Sequence, residues 1–170
     1  DFMLVAAANP CPCGYRSDPR RSCNCTPPQV ERYMSKISGP LMDRIDIHIE
    51  VPSVPFEELA STTSSATTSE SMRRDVDRAR GVQAERFSSG PTRYNAQMTS
   101  REVRKYCPLS SACSKLLRHS VEDLGLSARA HDKILRVSRT IADVEGAETI
   151  NETHLAEAIN YRSLDSDLWT

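Results

Sequence analysis

The stretch that decides the fold is LSARAHDKILRVSRTIADVEG, residues 126–146. Its apolar residues recur at alternating intervals of four and three, which places them on one face of an α-helix. Ser127 is a favoured N-cap residue, and Gly146 stands where a left-handed C-cap commonly ends a helix. We therefore expect one long amphipathic helix with a buried face. That face is expected to consist of Ala130, Ile134, Val137, Ile141 and Val144.

Shorter helices are predicted around this one. One begins with the capping-box spacing from Thr99 to Glu102. A second covers residues 110–124, and a third is capped by Asn151. Residues 95–162 are therefore expected to fold as a compact, all-helical bundle.

The N-terminal part carries strand patterns instead. Residues Phe2–Ala7 are continuously apolar, which is typical of a parallel strand covered on both faces. Residues Ile45–Val51 alternate apolar and polar side chains, as a half-buried strand does. Thr26, followed by two prolines, predicts a short helix between them that ends at Gly39-Pro40. The expected class is thus an α/β fragment with two parallel strands, followed by an all-α part.

Composition shifts indicate the domain boundaries. Residues 61–71, STTSSATTSES, form a Ser/Thr tract that is typical of a linker. A charged helix over residues 72–88 is predicted to follow it. We expect an N-terminal domain at 1–60, a linker and connecting helix at 61–94, a helical domain at 95–162 and a tail at 163–170.

The 170 residues have a net charge of -1 and 38% hydrophobic residues, so charge alone does not indicate a nucleic-acid or anionic-membrane partner. No apolar run approaches the ~20 residues that a membrane span needs. Six cysteines without a secretory signal pattern favour reduced thiols and a cytoplasmic location. The chain begins inside an apolar run, so we expect it to be part of a longer protein.

Four of the cysteines lie close together in residues 8–25, ANPCPCGYRSDPRRSCNC. Cys11 and Cys13 form one C-x-C pair, and Cys23 and Cys25 form the other. Four thiolates suit a tetrahedral zinc site, although C-x2-C is the more usual spacing. The alternative is a reduced, metal-free loop. The remaining two, Cys107 and Cys113, have no neighbours at metal-ligand spacing, so we expect them to pack in the helical core.

Three further residues have an ordinary and a functional interpretation. Asn9 follows a predicted strand end, where α/β folds bind ligands, but asparagine is also a common turn residue. Arg44 stands between two aspartates in LMDRID, which also suits a local ion pair. Arg129 lies in the first turn of its helix, where the dipole disfavours a cation unless an anion binds there.

These three residues occur in one order within specific segments, NPCPCGY, ISGPLMDRIDIHIEVP and LSARAHDKILRVSRTIADVEG. On these segments the chain closely resembles the C-terminal part of the magnesium-chelatase-like AAA+ ATPases, the ComM competence-protein group. The resemblance extends from FMLVAAANPCPCGY to HLAEAINYR. It implies that Asn9 is the sensor 1 residue, Arg44 the arginine finger that acts on a neighbouring subunit, and Arg129 the sensor 2 residue.

The resemblance also implies ATP and Mg²⁺ as cofactors, self-association into a ring (a hexamer), and DNA as the substrate that is remodelled during transformation. No G-x-x-x-x-G-K-[ST] phosphate loop occurs in the 170 residues, so we expect this fragment alone not to hydrolyse ATP. Two alternatives stay open. One is the ATPase subunit of a metal chelatase, and the other is a zinc-bearing interaction module without catalysis.

Overall fold

The computed structural model describes residues 2–16, 18–52, 54 and 67–162. The chain divides into two compact units. The first, here called the cysteine unit, comprises residues 1–42 and 50–63, and the second, the helical unit, comprises residues 43–49 and 64–170. Residues 43–49, which we expected in the N-terminal domain, therefore group with the helical unit. Most of the predicted linker and the tail at 163–170 lie outside the described residues.

In the described residues of the cysteine unit there are two short helices, α1 (Pro27–Met34) and α2 (Gly39–Met42). Thr26 is the N-cap of α1, and its backbone N–H donates to the Gln29 side chain at 2.9 Å. This helix start was predicted, because the cap and the prolines act within one turn. The Gly39-Pro40 pair begins α2, however, and α1 ends earlier, at Met34.

Neither predicted strand is present among the residues that the structure describes, so the α/β part of the predicted fold is not confirmed. Phe2 and Met3 are 90% and 87% exposed, although their sequence predicted a doubly covered strand. Within Ile45–Val51, the His48 amide donates to the Tyr161 carbonyl at 2.9 Å. A strand needs a neighbouring strand for its backbone groups. The described parts of the chain supply no such ladder, and periodicity alone cannot reveal that.

The helical unit matches its prediction closely. Its elements are α3 (Ser69–Arg86), a 3-10 helix (Asn95–Gln97), α4 (Ser100–Tyr106), α5 (Ser111–Asp123), α6 (Ala128–Glu145) and α7 (Glu152–Asn160). Helix α6 is central, since it packs against α3, α4, α7 and the 3-10 helix. Cys107 and Cys113 are buried in the shared core, as expected. Within the described residues, no helix has the length and apolar character to cross a membrane.

The predicted helix caps are confirmed by their hydrogen bonds. Thr99 Oγ1 accepts from the Glu102 amide, and the Glu102 side chain accepts from the Thr99 amide at 2.8 Å. Ser127 Oγ accepts from the Ala130 amide at 3.0 Å, and Asn151 caps α7 in the same way. At the C-terminus of α6, Gly146 adopts φ 76°, which a residue with a side chain rarely adopts.

The predicted buried face of α6 is correct at its start and wrong at its end. Ala130 and Ile134 are buried, but Val144 is exposed and Asp143 is buried instead. Asp143 accepts two hydrogen bonds from Arg86 of α3, at 2.7 and 2.5 Å. Arg139 and Asn95 donate to the same carboxylate at 3.0 and 2.8 Å. This buried network joins the end of α6 to α3, and it is needed because a buried carboxylate must keep its partners.

Candidate functional site

The four cysteines of the loop converge on one point. The Sγ atoms of Cys11 and Cys13 are 3.3 Å apart, and Cys23 Sγ lies 3.7 and 3.5 Å from them. With Cys25, all four sulfur atoms lie within 4.8 Å of one another. All four are free thiols, since no disulfide joins them.

These separations fit a zinc ion. Four sulfurs at ~2.3 Å from a tetrahedral zinc lie about 3.8 Å from one another. The three sulfur–sulfur distances among Cys11, Cys13 and Cys23 are 3.3–3.7 Å, and Cys25 Sγ lies within 4.8 Å of each, so only small movements of the Cys11–Cys25 loop are needed for coordination. A set of four thiolates leaves no open position, which is the arrangement of a structural rather than a catalytic zinc site.

The backbone around the cluster already favours thiolate. A hydrogen bond from the Tyr15 backbone lowers the pKa of Cys13 to about 6. Burial, by contrast, raises the pKa of Cys25 to about 12. Adjacent thiols are expected to shift their pKa values in opposite directions, because two neighbouring thiolates repel each other. A divalent cation would offset that repulsion when all four thiols are deprotonated.

Asn9, the predicted sensor 1 residue, belongs to the cysteine unit and is exposed. Its side chain lies over Gly14, where an added Cβ would be 3.7 Å from Asn9 Cγ. Gly14 has φ 83°, and its amide donates to the Cys11 carbonyl at 3.0 Å. The turn at Gly14, in the loop that brings the four thiols together, therefore also lies next to the Asn9 side chain.

Arg129, the predicted sensor 2 residue, lies in the first turn of α6 and binds a carboxylate. Its Nη1 donates to Asp43 Oδ2 at 2.6 Å, and the Ser127 hydroxyl donates to Asp43 Oδ1 at 2.8 Å. The Arg129 guanidinium and the Ser127 hydroxyl hold the pKa of Asp43 below its usual value. A carboxylate of the same chain thus lies beside Arg129 at the start of α6.

Arg44, the predicted arginine finger, follows Asp43 directly and is exposed. It belongs to the helical unit, as does Arg129, whereas Asn9 and the four loop cysteines belong to the cysteine unit. The ion pair between Asp43 and Arg129 therefore holds the segment that carries Arg44 next to Arg129.

The sequence alone did not identify Lys133 as a site residue. It also did not identify the cations that bind Asp43 and Asp46. Lys133 Nζ lies 2.8 Å from Asp46 Oδ1 and also donates to the Arg44 carbonyl. Lys133 follows Arg129 by four residues, so both cations share one face of α6. The available signal was the pair of cations four residues apart on α6, together with the two aspartates of DRID. The LMDRID segment considered alone could not show that these charges pair.

Comparison with known proteins relates both units to one family. The model described as "Magnesium chelatase, subunit ChlI C-terminal" matches residues 66–162, and "Magnesium chelatase, subunit ChlI" matches residues 1–59. The chain is 40% identical over 163 residues to competence protein ComM of Haemophilus influenzae. It is 39% identical over 165 residues to the uncharacterized protein YifB of Escherichia coli, and 33% over 161 to the uncharacterized protein Rv2897c of Mycobacterium tuberculosis. These alignments cover 95–96% of this chain but only 31% of each relative.

Proposed function

Since this chain belongs to the magnesium chelatase subunit ChlI family, we propose that it supplies the phosphate-contacting arginines of an AAA+ ATP hydrolase. The observation that carries the proposal is the carboxylate of Asp43 between Ser127 and Arg129. A hydroxyl and a guanidinium at a helix N-terminus are also the donors that phosphate oxygens accept from. The site thus has the donor set from which phosphate oxygens accept, and the Asp43 carboxylate holds those donors in this structure.

Each residue has a distinct proposed role. Arg129 acts as sensor 2 and donates to phosphate oxygens. Arg44 acts as the arginine finger at the site of a neighbouring subunit, where its charge stabilises the transferring phosphoryl group. Asn9 acts as sensor 1 and orients the attacking water. Bound ATP would supply the phosphoryl group, and Mg²⁺ would neutralise the charge that develops on it.

The four loop cysteines are proposed to hold a structural zinc ion. Their sulfur spacing supports this assignment, as do the backbone donors that stabilise thiolate at Cys13. The ion would keep the Asn9 turn in place by bridging the two ends of the Cys11–Cys25 loop.

For the whole protein we propose a cytoplasmic ring, a hexamer, that couples ATP hydrolysis to the remodelling of branched DNA. The similarity to competence protein ComM supports the DNA substrate. Over residues 99–162, ten Lys and Arg stand against nine Asp and Glu, so composition adds nothing to that choice. The family description favours a second candidate, the ATPase subunit of a metal chelatase. A zinc-bearing module without catalysis is the third.

The decisive experiment is Arg44→Ala in the full-length protein. Steady-state ATP hydrolysis should fall about 10³–10⁵-fold, the range measured for other arginine fingers. Binding of a fluorescent ATP analogue should change little, because the finger acts mainly on the transition state. Arg118→Ala, which changes an exposed arginine on α5, is the matched control and should hydrolyse ATP normally. Normal hydrolysis by Arg44→Ala would refute the proposal.

Mixed rings test the action between subunits. Arg44→Ala subunits should regain hydrolysis when they are mixed with subunits whose phosphate-loop lysine is replaced, because each then supplies what its neighbour lacks. An absence of recovery would contradict a finger that acts in trans. ATP-dependent migration of a synthetic four-way DNA junction favours the remodelling function. ATP-dependent insertion of Mg²⁺ into a porphyrin favours the chelatase.

A further inference from the structure

The segment that carries Arg44, residues 43–49, is held to the rest of the helical unit at several points. Asp43 binds Ser127 and Arg129 at its start, as described above. In its middle, the Arg44 carbonyl accepts from Lys133 and the Ile45 carbonyl accepts from Arg162. At its end, the His48 amide donates to the Tyr161 carbonyl. These contacts replace the strand pairing that the sequence predicted.

Lys133 is central to this attachment because it is a buried cation. Its side chain is only 9% exposed, although lysine almost never lies inside a protein without a partner. The partners are the Arg44 carbonyl and the Asp46 carboxylate, and both belong to the attached segment. The burial of this ammonium on α6 therefore depends on the segment that carries the candidate finger.

Lys133 donates to the backbone carbonyl of Arg44, a residue that is exposed to solvent. A side chain that must reach a phosphoryl group on another molecule needs a fixed base, since small misplacements reduce catalysis strongly. We infer that Lys133 is a positioning residue for the arginine finger, an inference that rests on the proposed function of Arg44.

The arrangement also links the two candidate arginines. Arg129 lies one helical turn before Lys133 on α6, and Arg129 binds Asp43, the residue directly before Arg44. Any displacement of α6 thus carries the sensor 2 arginine and the base of the finger together. Lys133 couples the position of the finger to the position of α6.

The test uses the full-length protein with Lys133→Met, which keeps much of the side-chain length but removes the charge and the donor. The kcat for ATP hydrolysis should fall by about 10²-fold, as for other misplaced catalytic groups. The KM for ATP should change by less than about twofold, because a group that acts only in the transition state affects kcat. Lys133→Arg should restore most of the activity. Lys115→Met, at an exposed lysine on α5, is the matched control and should leave kcat unchanged.

A double-mutant cycle separates positioning from a general structural role. Arg44→Ala combined with Lys133→Met should be no slower than Arg44→Ala alone, because Lys133 acts through Arg44. A further loss of activity in the double variant would overturn the inference, as would a normal kcat for Lys133→Met beside an inactive Arg44→Ala. If Arg44→Ala is itself active, the proposed function fails instead.

Hydrogen exchange supplies a readout that does not depend on activity. In Lys133→Met, the His48 amide, which donates to the Tyr161 carbonyl, should exchange faster than in the wild type, while the amides of α7 keep their protection. Unchanged exchange at His48 would overturn the inference. If Lys133→Met loses protection throughout α6 and α7, Lys133→Gln, which keeps a donor without the charge, is judged by the same criteria.

Discussion

Asp43 and Arg129 form an ion pair at 2.6 Å between residues that are 86 positions apart in the chain. Asp43 immediately precedes the candidate arginine finger, and Arg129 is the candidate sensor 2 residue. The Asp43 carboxylate accepts a second hydrogen bond from the Ser127 hydroxyl, which also caps α6. One side chain thus connects the two segments for which we propose contact with phosphate.

Asp43→Asn should destabilise the protein by about 0–1 kcal/mol at neutral pH, because the Arg129 side chain is 58% exposed and solvent weakens the pair. The pKa of Asp43 is lowered by Arg129 in the folded state. Its contribution is therefore complete above the unfolded value of about 3.9 and is lost as the pH falls through the lower folded value. Urea unfolding of both proteins between neutral and acidic pH should show the two stabilities converging in acid. A difference that does not depend on pH would contradict the ion pair.

Asp143→Asn should be far more damaging, at about 3–5 kcal/mol, because it leaves Arg86 and Arg139 facing a neutral side chain in a buried network. The matched control is Asp75→Asn, which breaks a pair with Arg78 in which both side chains are about half exposed. That change should cost no more than about 1 kcal/mol. Chemical denaturation monitored by circular dichroism measures both. Equal losses of stability in the two variants would contradict the argument that burial makes the Asp143 network more stabilising than the exposed pair.

The purified protein, prepared under reducing conditions, should contain about one equivalent of zinc. Cys13→Ser and Cys25→Ser should each lose most of it, because a closed four-thiolate site tolerates no missing ligand. Cys107→Ala is the control and should keep the metal, since Cys107 lies in the helical core, where burial raises its pKa to about 11. Metal analysis by mass spectrometry gives the content, and cobalt substitution reports thiolate ligation. A metal-free wild type would favour the unliganded loop.

Replacing either of two glycines with alanine should change the stability of the protein, but in opposite directions. Gly146 ends α6 with φ 76°, so Gly146→Ala should destabilise the protein by about 1 kcal/mol. Gly81 lies inside α3, and an added Cβ meets no atom within 4 Å there. Gly81→Ala should therefore stabilise it by about 0.5–1 kcal/mol. Thermal unfolding of the two variants compares them directly, and a stabilising Gly146→Ala would contradict the left-handed cap.

The helices of the second unit could be predicted closely because their signals are local. A cap such as Thr99 with Glu102 acts across three residues, so its residues alone carry the information. The strands were predicted in the same way from Phe2–Ala7 and Ile45–Val51, yet a strand depends on partners that periodicity cannot supply. Helical periodicity predicted that Val144 is buried, but Asp143 and its hydrogen-bond network are buried at that end of α6 instead.

The sequence by itself determined where the capped helices α4, α6 and α7 begin, where α6 ends, and which four cysteines lie together in one loop. The cysteines lie within fourteen residues of one another, from Cys11 to Cys25, so a turn at Gly14 helps to bring them together. Only the tertiary structure decided that Asp43 binds Arg129 and that Lys133 holds the Arg44 carbonyl. Those partners are 86 and 89 residues apart, and they meet because α6 packs in the centre of the helical unit and presents both cations on one face.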